Sequence, residues 1–505
     1  MRRLARSALH SSLAVATMLA ACSRPQPSVG ASQGTSPPDA PPATAPVSSS
    51  SGLAQLTLAY DNPPVVGATV HVTAAGLPAA KSVDLSWGTV TGGWVIEDYY
   101  HFRGKKYAES TMSLGQFPVD GSGRLEARVV IPEDYGGVHE VTALIDGQPV
   151  AQGALNVSQT FTLTPAEGPV GTPIELKVTG LGWRTMESTW VVNWDNRELG
   201  FVTAAGTRGS AVARFRAAGP AGDHVVKLYT GWQGQAYLNY EQSPVAALPR
   251  PQFTFHTTPA EAVAYTERYQ PQPIPKTEVP QGASLTLAPT QGPVGTEAKL
   301  KGEGFKAGAP MRLLWETAVG SRVSGEGFTP QESVLGEVKA GADGRLETSF
   351  KIPDDLGGLH GLALASGADV VARAHFVIET SVVDITPASG PAGTRVSIHL
   401  KGVGWTEYDN IYAATYDNAY MGYACGFNSQ GDVVVNFTAT GEPGAHVIDL
   451  YPGIYHGPPT ESQQLYRLPQ LTYADDHPGN KIPALHLTFE VTPRAGQHSN
   501  RPGQF

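Results

Sequence analysis

The sequence predicts an all-β fold made of tandem β-sandwiches, and three observations carry that prediction. Gly (57) and Pro (41) make up about a fifth of the 505 residues, while charged residues are only 16%. That mix suits many short strands joined by tight turns and excludes a coiled coil or helical bundle. Next, turn-bounded stretches alternate strictly. Ile174, Leu176 and Val178 take one parity and Glu175, Lys177 and Thr179 the other. Val396, Ile398 and Leu400 alternate with Ser397, His399 and Lys401, and Val70 and Val72 with His71 and Thr73. A period of two with one polar face is a half-buried antiparallel strand. Finally, the chain repeats itself, in units near 90–100 residues.

The repeat is direct. Thr164-Pro165-Ala166-Glu167-Gly168-Pro169-Val170-Gly171-Thr172 returns 222 positions later as Thr386-Pro387-Ala388-Ser389-Gly390-Pro391-Ala392-Gly393-Thr394. The same offset relates Gly182-Trp183 to Gly404-Trp405, Asp195-Asn196 to Asp417-Asn418, and His224 to His446. The other halves match as Ile131-Pro132-Glu133-Asp134 through His139 and Ile352-Pro353-Asp354-Asp355 through His360. The predicted order is therefore A-B-linker-A-B. Unit one spans 53–158, unit two 159–257, a Pro-rich linker 258–282, unit three 283–379 and unit four 380–493. The linker is expected to act as a semi-flexible hinge between two rigid pairs. A polar tail, 494–505, is expected to be disordered.

The N-terminus reads as an address. Arg2, Arg3 and Arg6 precede a mostly apolar run, Ser11 to Ala21, too short to span a bilayer. It ends Leu19-Ala20-Ala21-Cys22. Residues 1–22 thus resemble a bacterial lipoprotein signal with its lipobox, which implies acylation of Cys22 and a membrane anchor that does not span. Ser23 then favours the outer membrane if the host is Gram-negative, with the chain facing the periplasm or the exterior. Residues 23–52 are almost all Ser, Pro, Ala, Gly, Thr and Gln, and are expected to form a disordered tether. After Cys22 the one remaining cysteine is Cys425, so no intramolecular disulfide is possible and stability must come from apolar cores. Cys425 itself is expected to be a buried structural thiol. A net charge of −10 without a basic cluster argues against nucleic acid as a partner.

Pro387, Gly390-Pro391, Gly393-Thr394, an alternating strand and Lys401-Gly402-Val403-Gly404-Trp405 together resemble the opening of an IPT/TIG-type immunoglobulin-like domain. The openings at 165 and 293 are similar, and the one at 64 is degenerate. The resemblance covers roughly 25 residues per unit. It implies four immunoglobulin-like β-sandwiches and an accessory or binding role more often than catalysis.

Gly-x-His occurs once per unit, ending in His139, His224, His360 and His446. One His per unit cannot fill a metal shell. The expected role is a partly buried imidazole bonded to a backbone carbonyl. Trp87, Trp194, Trp315 and Tyr416 fall on the apolar parity of the third strand and are expected in the core. Asp195-Asn196 and Asp417-Asn418 read as turns more readily than as calcium ligands.

The ligand candidates are rings on the polar parity or in loops: Tyr229, Trp232, Tyr420, Tyr451 and Tyr455, together with Tyr99, Tyr100 and Phe102. Such rings can stack on sugar faces or anchor a protein. No enzyme motif stands in a usable context, since Gly30-Ala31-Ser32-Gln33-Gly34 lies in the tether. The expected function is a non-catalytic cell-envelope lipoprotein, structural, adhesive or ligand-binding, without cofactor or metal. Its partners would be the membrane, through the lipid, and a surface glycan or protein. The alternative is a carbohydrate-binding surface protein using the loop aromatics of units two and four.

Overall fold

A computed structural model describes residues 52–97, 101–232, 235–243, 248–271, 283–321, 327–426, 430–454, 468–479 and 481–494. The predicted lipobox with Cys22, the tether up to residue 51 and the tail from 495 lie outside the described residues. Among the described residues strand accounts for 60% and helix for 2%, so the all-β prediction holds.

The strands of the described residues form eight sheets. Within each unit's range a larger sheet of five or six strands faces a smaller one of three. In unit one the larger sheet runs Ala54–Gln55, Gln148–Val157, Gly137–Ile145, Ser82–Glu97, His101–Pro118, and the smaller runs Thr57–Ala59, Thr69–Ala74, Leu125–Val130. A hydrophobic cluster fills each facing pair. The alternation read from the sequence supplies these cores: Ile174, Leu176, Val178, Val70, Val72, Ile398 and Leu400 are all fully buried. Thr164-Pro165, Ala288-Pro289 and Thr386-Pro387 are cis.

Each A unit joins its B unit through the same backbone contact. Gly136 N–H donates to Leu181 O at 3.1 Å, and Gly357 N–H donates to Val403 O at 3.0 Å. The approach is so close that a Cβ on Gly136 would collide with the Gly180 carbonyl, and one on Gly357 with that of Gly402. An aromatic of each A-unit hairpin also lies on the B unit's Gly-Trp loop. Tyr107 meets Trp183 at 5.8 Å and Phe328 meets Trp405 at 5.9 Å, between ring centroids.

Two segments have no counterpart in the other copy. Twenty-five positions separate the register partners Trp87 and Met112 in unit one, but eighteen separate Trp315 and Ser333 in unit three. The unit-one hairpin is thus seven residues longer. Likewise twenty-seven positions separate Val226 from Phe253 in unit two, and thirty-nine separate Ile448 from Leu487 in unit four. The unit-four loop is thus twelve residues longer.

These two extra segments meet. Trp94 Nε1–H, in the unit-one hairpin, donates to Asp476 Oδ1 at 3.1 Å, in the unit-four loop. Phe102 of the same hairpin is buried with Phe201 of unit two and with Tyr408 and Ile454 of unit four, flanked by Trp94, Ile96 and Leu468. The expected separation into two pairs on a hinge is therefore corrected. Units one, two and four pack together, and residues 258–271 of the linker lie along them. Val263 N–H donates to Val170 O of unit two at 2.8 Å, and the Tyr269 hydroxyl accepts from Thr380 N–H at 2.7 Å. Residues 272–282 lie outside the described residues.

Candidate functional site

The four histidines are built into the sandwich ends. Each stacks on the third-strand aromatic of its own unit: His139 on Trp87 (4.3 Å), His224 on Trp194 (5.2 Å), His360 on Trp315 (4.7 Å) and His446 on Tyr416 (5.4 Å). Each Nε2 lies 2.8–2.9 Å from the carbonyl oxygen four residues earlier, on Tyr135, Pro220, Leu356 and Glu442 respectively. The second nitrogen separates A units from B units. Nδ1 faces the Gly88 and Glu316 carbonyls in units one and three, but the Asp195 and Asp417 carboxylates in units two and four, at 2.6 and 2.5 Å. Burial opposes charge on His446, yet the Asp417 carboxylate outweighs it and raises the imidazole pKa. In His360 burial prevails and lowers it.

Asp195, Asn196, Asp417 and Asn418 all have φ between 47° and 63°, the left-handed region that Asx residues tolerate in two-residue hairpins. They are turns, and the two Asp side chains also orient the histidines, a role the spacing did not reveal. Trp87, Trp194, Trp315 and Tyr416 are buried as expected. Among the described residues no cluster of three or more His, Cys, Asp or Glu is placed to hold a metal ion. Cys425 is half-buried rather than enclosed.

The aromatic candidates need correction. Tyr451 is fully buried, and Tyr229 is 6% exposed. Both take the outward parity, as the alternation requires, but both outward faces are covered. Tyr451 lies in the cluster formed with unit two, edge-on to Tyr473 at 5.7 Å. Tyr229 lies under its own unit's following loop, parallel to Tyr240 at 6.2 Å, with Arg250 over Tyr240 at 4.0 Å. Neither can stack on a sugar. Phe102 is buried in the seam described above. Tyr420 is half-buried in the strand Ala419–Cys425. The backbone of Trp232 pairs with Gln235, and its side chain lies outside the described residues, as do Tyr455, Tyr99 and Tyr100.

The residues that the fold does bring together form the seam between units two and four. In the unit-four loop, the Asp476 carboxylate accepts from Thr203 Oγ1 (2.6 Å), Ala205 N (2.8 Å), Gly206 N (2.6 Å) and Trp94 Nε1. Burial pushes its pKa up, and those donors pull against the push. Gln470 and Leu471 run beside Phe201, and Leu471 O accepts from Arg214 N. Asp475 accepts from Val212 N at 2.8 Å and from Arg214 Nη1 at 3.2 Å. The edge strand Ala211–Arg216 is thereby capped, which is how sandwich edges avoid pairing with other chains. His477 sits behind this segment, where burial pulls its pKa down to about 3.

At the centre, Arg216 reaches into unit four. Its Nε lies 2.8 Å from Asp449 Oδ1, and its Nη2 donates to the carbonyls of Leu487 (2.6 Å) and Ile448 (3.3 Å). Asn418 Nδ2 donates back to Arg216 O at 2.7 Å. Both charged side chains are essentially inaccessible, at 1% and 0% exposure. The crevice between units three and four, lined in part by Tyr269, Thr380, Asp409 and Ile482, has about 10 Å3 of room, enough for one water. Sequence reasoning missed the seam because Arg216, Asp449 and Asp476 have no special spacing. The unequal lengths between register partners are the signal that could have found it.

No family model matches the chain, and no curated protein matches it. Among solved structures, the native α2-macroglobulin of E. coli is 10% identical, covering 88% of this chain and 32% of its own, with a TM-score of 0.16. This chain therefore spans about a third of that protein. A tetra-tandem repeat from the extending region of a large adhesion protein is 13% identical, covering 80% and 96%, with a TM-score of 0.16. A putative membrane-anchored protein from Corynebacterium diphtheriae is 13% identical, covering 64% and 89%, with a TM-score of 0.15. Global geometries this different carry no functional inference. Among the described residues no helix is long and apolar enough to cross a membrane.

Proposed function

We propose that the chain is a non-catalytic lipoprotein of the cell envelope, held by an acyl group on Cys22, that presents IPT/TIG-type immunoglobulin-like domains as a structural or adhesive element. One observation supports this reading most: both segments that break the duplication pack against neighbouring units. In sandwich proteins, loops beyond the frame are where binding clefts and catalytic groups are usually built. Here the long hairpin and the long loop close on each other instead and stiffen the body. The anchor reading rests on the order Arg2, Arg3, Arg6, the apolar run and Leu19-Ala20-Ala21-Cys22. Ser23 favours the outer membrane of a Gram-negative host. The carbohydrate reading loses Tyr229 and Tyr451 to burial, and it is not proposed in that form.

Metabolic labelling tests the anchor. The full precursor, expressed in a bacterium and fed an alkyne-tagged fatty acid, should take up label and sediment with membranes. The Cys22→Ala variant should do neither. A wild-type chain that stays unlabelled and in the supernatant overturns the proposal.

A further inference from the structure

The outer face of the unit-four sheet carries a register pair, Asp449 opposite His486. The same pair in unit two is Lys227 opposite Gln252. The unit-four pair is covered from two directions. The strand Ala211–Arg216 of unit two brings Arg216 onto Asp449, and the linker brings Glu267 onto His486. His486 Nδ1 lies 2.7 Å from Asp449 Oδ1, and Nε2 lies 3.1 Å from Glu267 Oε1. The imidazole side chain is 1% exposed. Two carboxylates on the two ring nitrogens can both be satisfied only if both nitrogens carry a proton. With an imidazolium the cluster holds two cations and two anions. With a neutral ring one nitrogen would present a lone pair to a buried carboxylate, and one negative charge would be uncompensated.

We propose that the seam between units two and four is a pH-sensitive clamp, closed by doubly protonated His486 and loosened when the ring loses its second proton. This inference goes beyond the envelope reading and is independent of the anchor. The groups facing His486 all belong to the seam. Asp449 and Tyr451 come from its own sheet and Arg216 from unit two. Tyr265, with its ring 4.9 Å away, and Glu267 come from the linker. Tyr473 of the unit-four loop bonds Glu267 in turn. Arg214 lies beyond them, committed to Asp475 and Glu175. Burial opposes charge on His486, but the Asp449 carboxylate and the bond to Glu267 exceed both burial and the repulsion of Arg216, so its pKa is raised. Burial likewise opposes charge on Asp449, and Arg216 and His486 outweigh it, so that pKa is lowered. A raised imidazole stabilises the fold fully below its unfolded value, near 6.5, and ceases to do so as pH rises through the folded value.

Hydrogen exchange of the full chain, corrected for the chemical rate, tests the clamp. Protection of 211–216 and 468–477 should fall as pH rises from about 6.5 through the folded titration, by about tenfold for each pH unit separating the folded and unfolded titrations. The core strands 69–74 and 297–303 should not follow. His486→Gln should lower protection at pH 6.5 and flatten its dependence on pH. Equal pH dependence in wild type and variant overturns the proposal. Should the variant fail to fold, the wild-type His486 ring resonance decides: titration above the ordinary imidazole value of about 6.5 supports the clamp, and titration at or below that value overturns it.

Discussion

The seam within each A-B pair and the seam between pairs are made differently. Within a pair, the contacts come in matched copies: Gly136 to Leu181 and Gly357 to Val403, Tyr107 on Trp183 and Phe328 on Trp405. Between pairs, the equivalent strands Arg197–Val202 and Ala419–Cys425 meet, but the polar contacts that hold the seam are not matched. Arg216 and Asp449 correspond to Thr438 and Lys227 in the opposite copies, and the Trp94–Asp476 bond joins two segments that the other copies lack. Shared sequence therefore builds the repeated module, and the unshared sequence fixes how the modules are arranged. A duplicated chain would be a jointed rod if only the shared part mattered. The described parts of the longer hairpin and loop, together with Arg216 and Asp449, instead pack units one, two and four against one another.

That comparison can be broken in graded steps. Removing Arg216 should cost most. Arg216→Ala leaves Asp449 buried beside His486 without its guanidinium, an expected loss of about 4 kcal/mol in chemical denaturation. The half-buried Lys227→Ala in unit two, which gives up a cation–π contact with Tyr229, should cost only about 0.5 kcal/mol. Asp476→Ala should rank second, at about 3 kcal/mol, because Thr203 Oγ1, two backbone N–H groups and Trp94 Nε1 lose one acceptor together. Its companion readout is protease sensitivity of 468–477, which should rise. A stability change confined to unit four would argue against a shared latch. Of the three seam variants Glu407→Gln should cost least, about 1 kcal/mol, since the amide oxygen can still accept from Phe102 N–H while the carboxylate's contact with His101 is lost. A loss for Glu407→Gln as large as that for Asp476→Ala would reverse the expected order.

The sandwich frame was legible in the sequence because strand parity is local. Ile174, Leu176 and Val178 face inward because every second side chain must, and Trp87, Trp194, Trp315 and Tyr416 follow the same rule. The histidines were legible as structural, since one imidazole per unit suits a bond to a carbonyl and not a metal shell. Tyr451 shows where such reasoning stops. Parity placed its ring on the outer face, and that is where it sits, but parity says nothing about whether another domain covers that face. Coverage depends on non-local partners: Arg216 lies 233 positions from Asp449. The long hairpin and loop were visible only as unequal spacings once the register was known.

The most direct test of the packed body is to cut the linker. A protease site placed between Thr277 and Glu278 divides the chain into its two pairs after folding. If the unmatched seam holds them, the cleaved halves will co-elute as one species at the size of the intact chain. Halves that elute separately under the same conditions would contradict it.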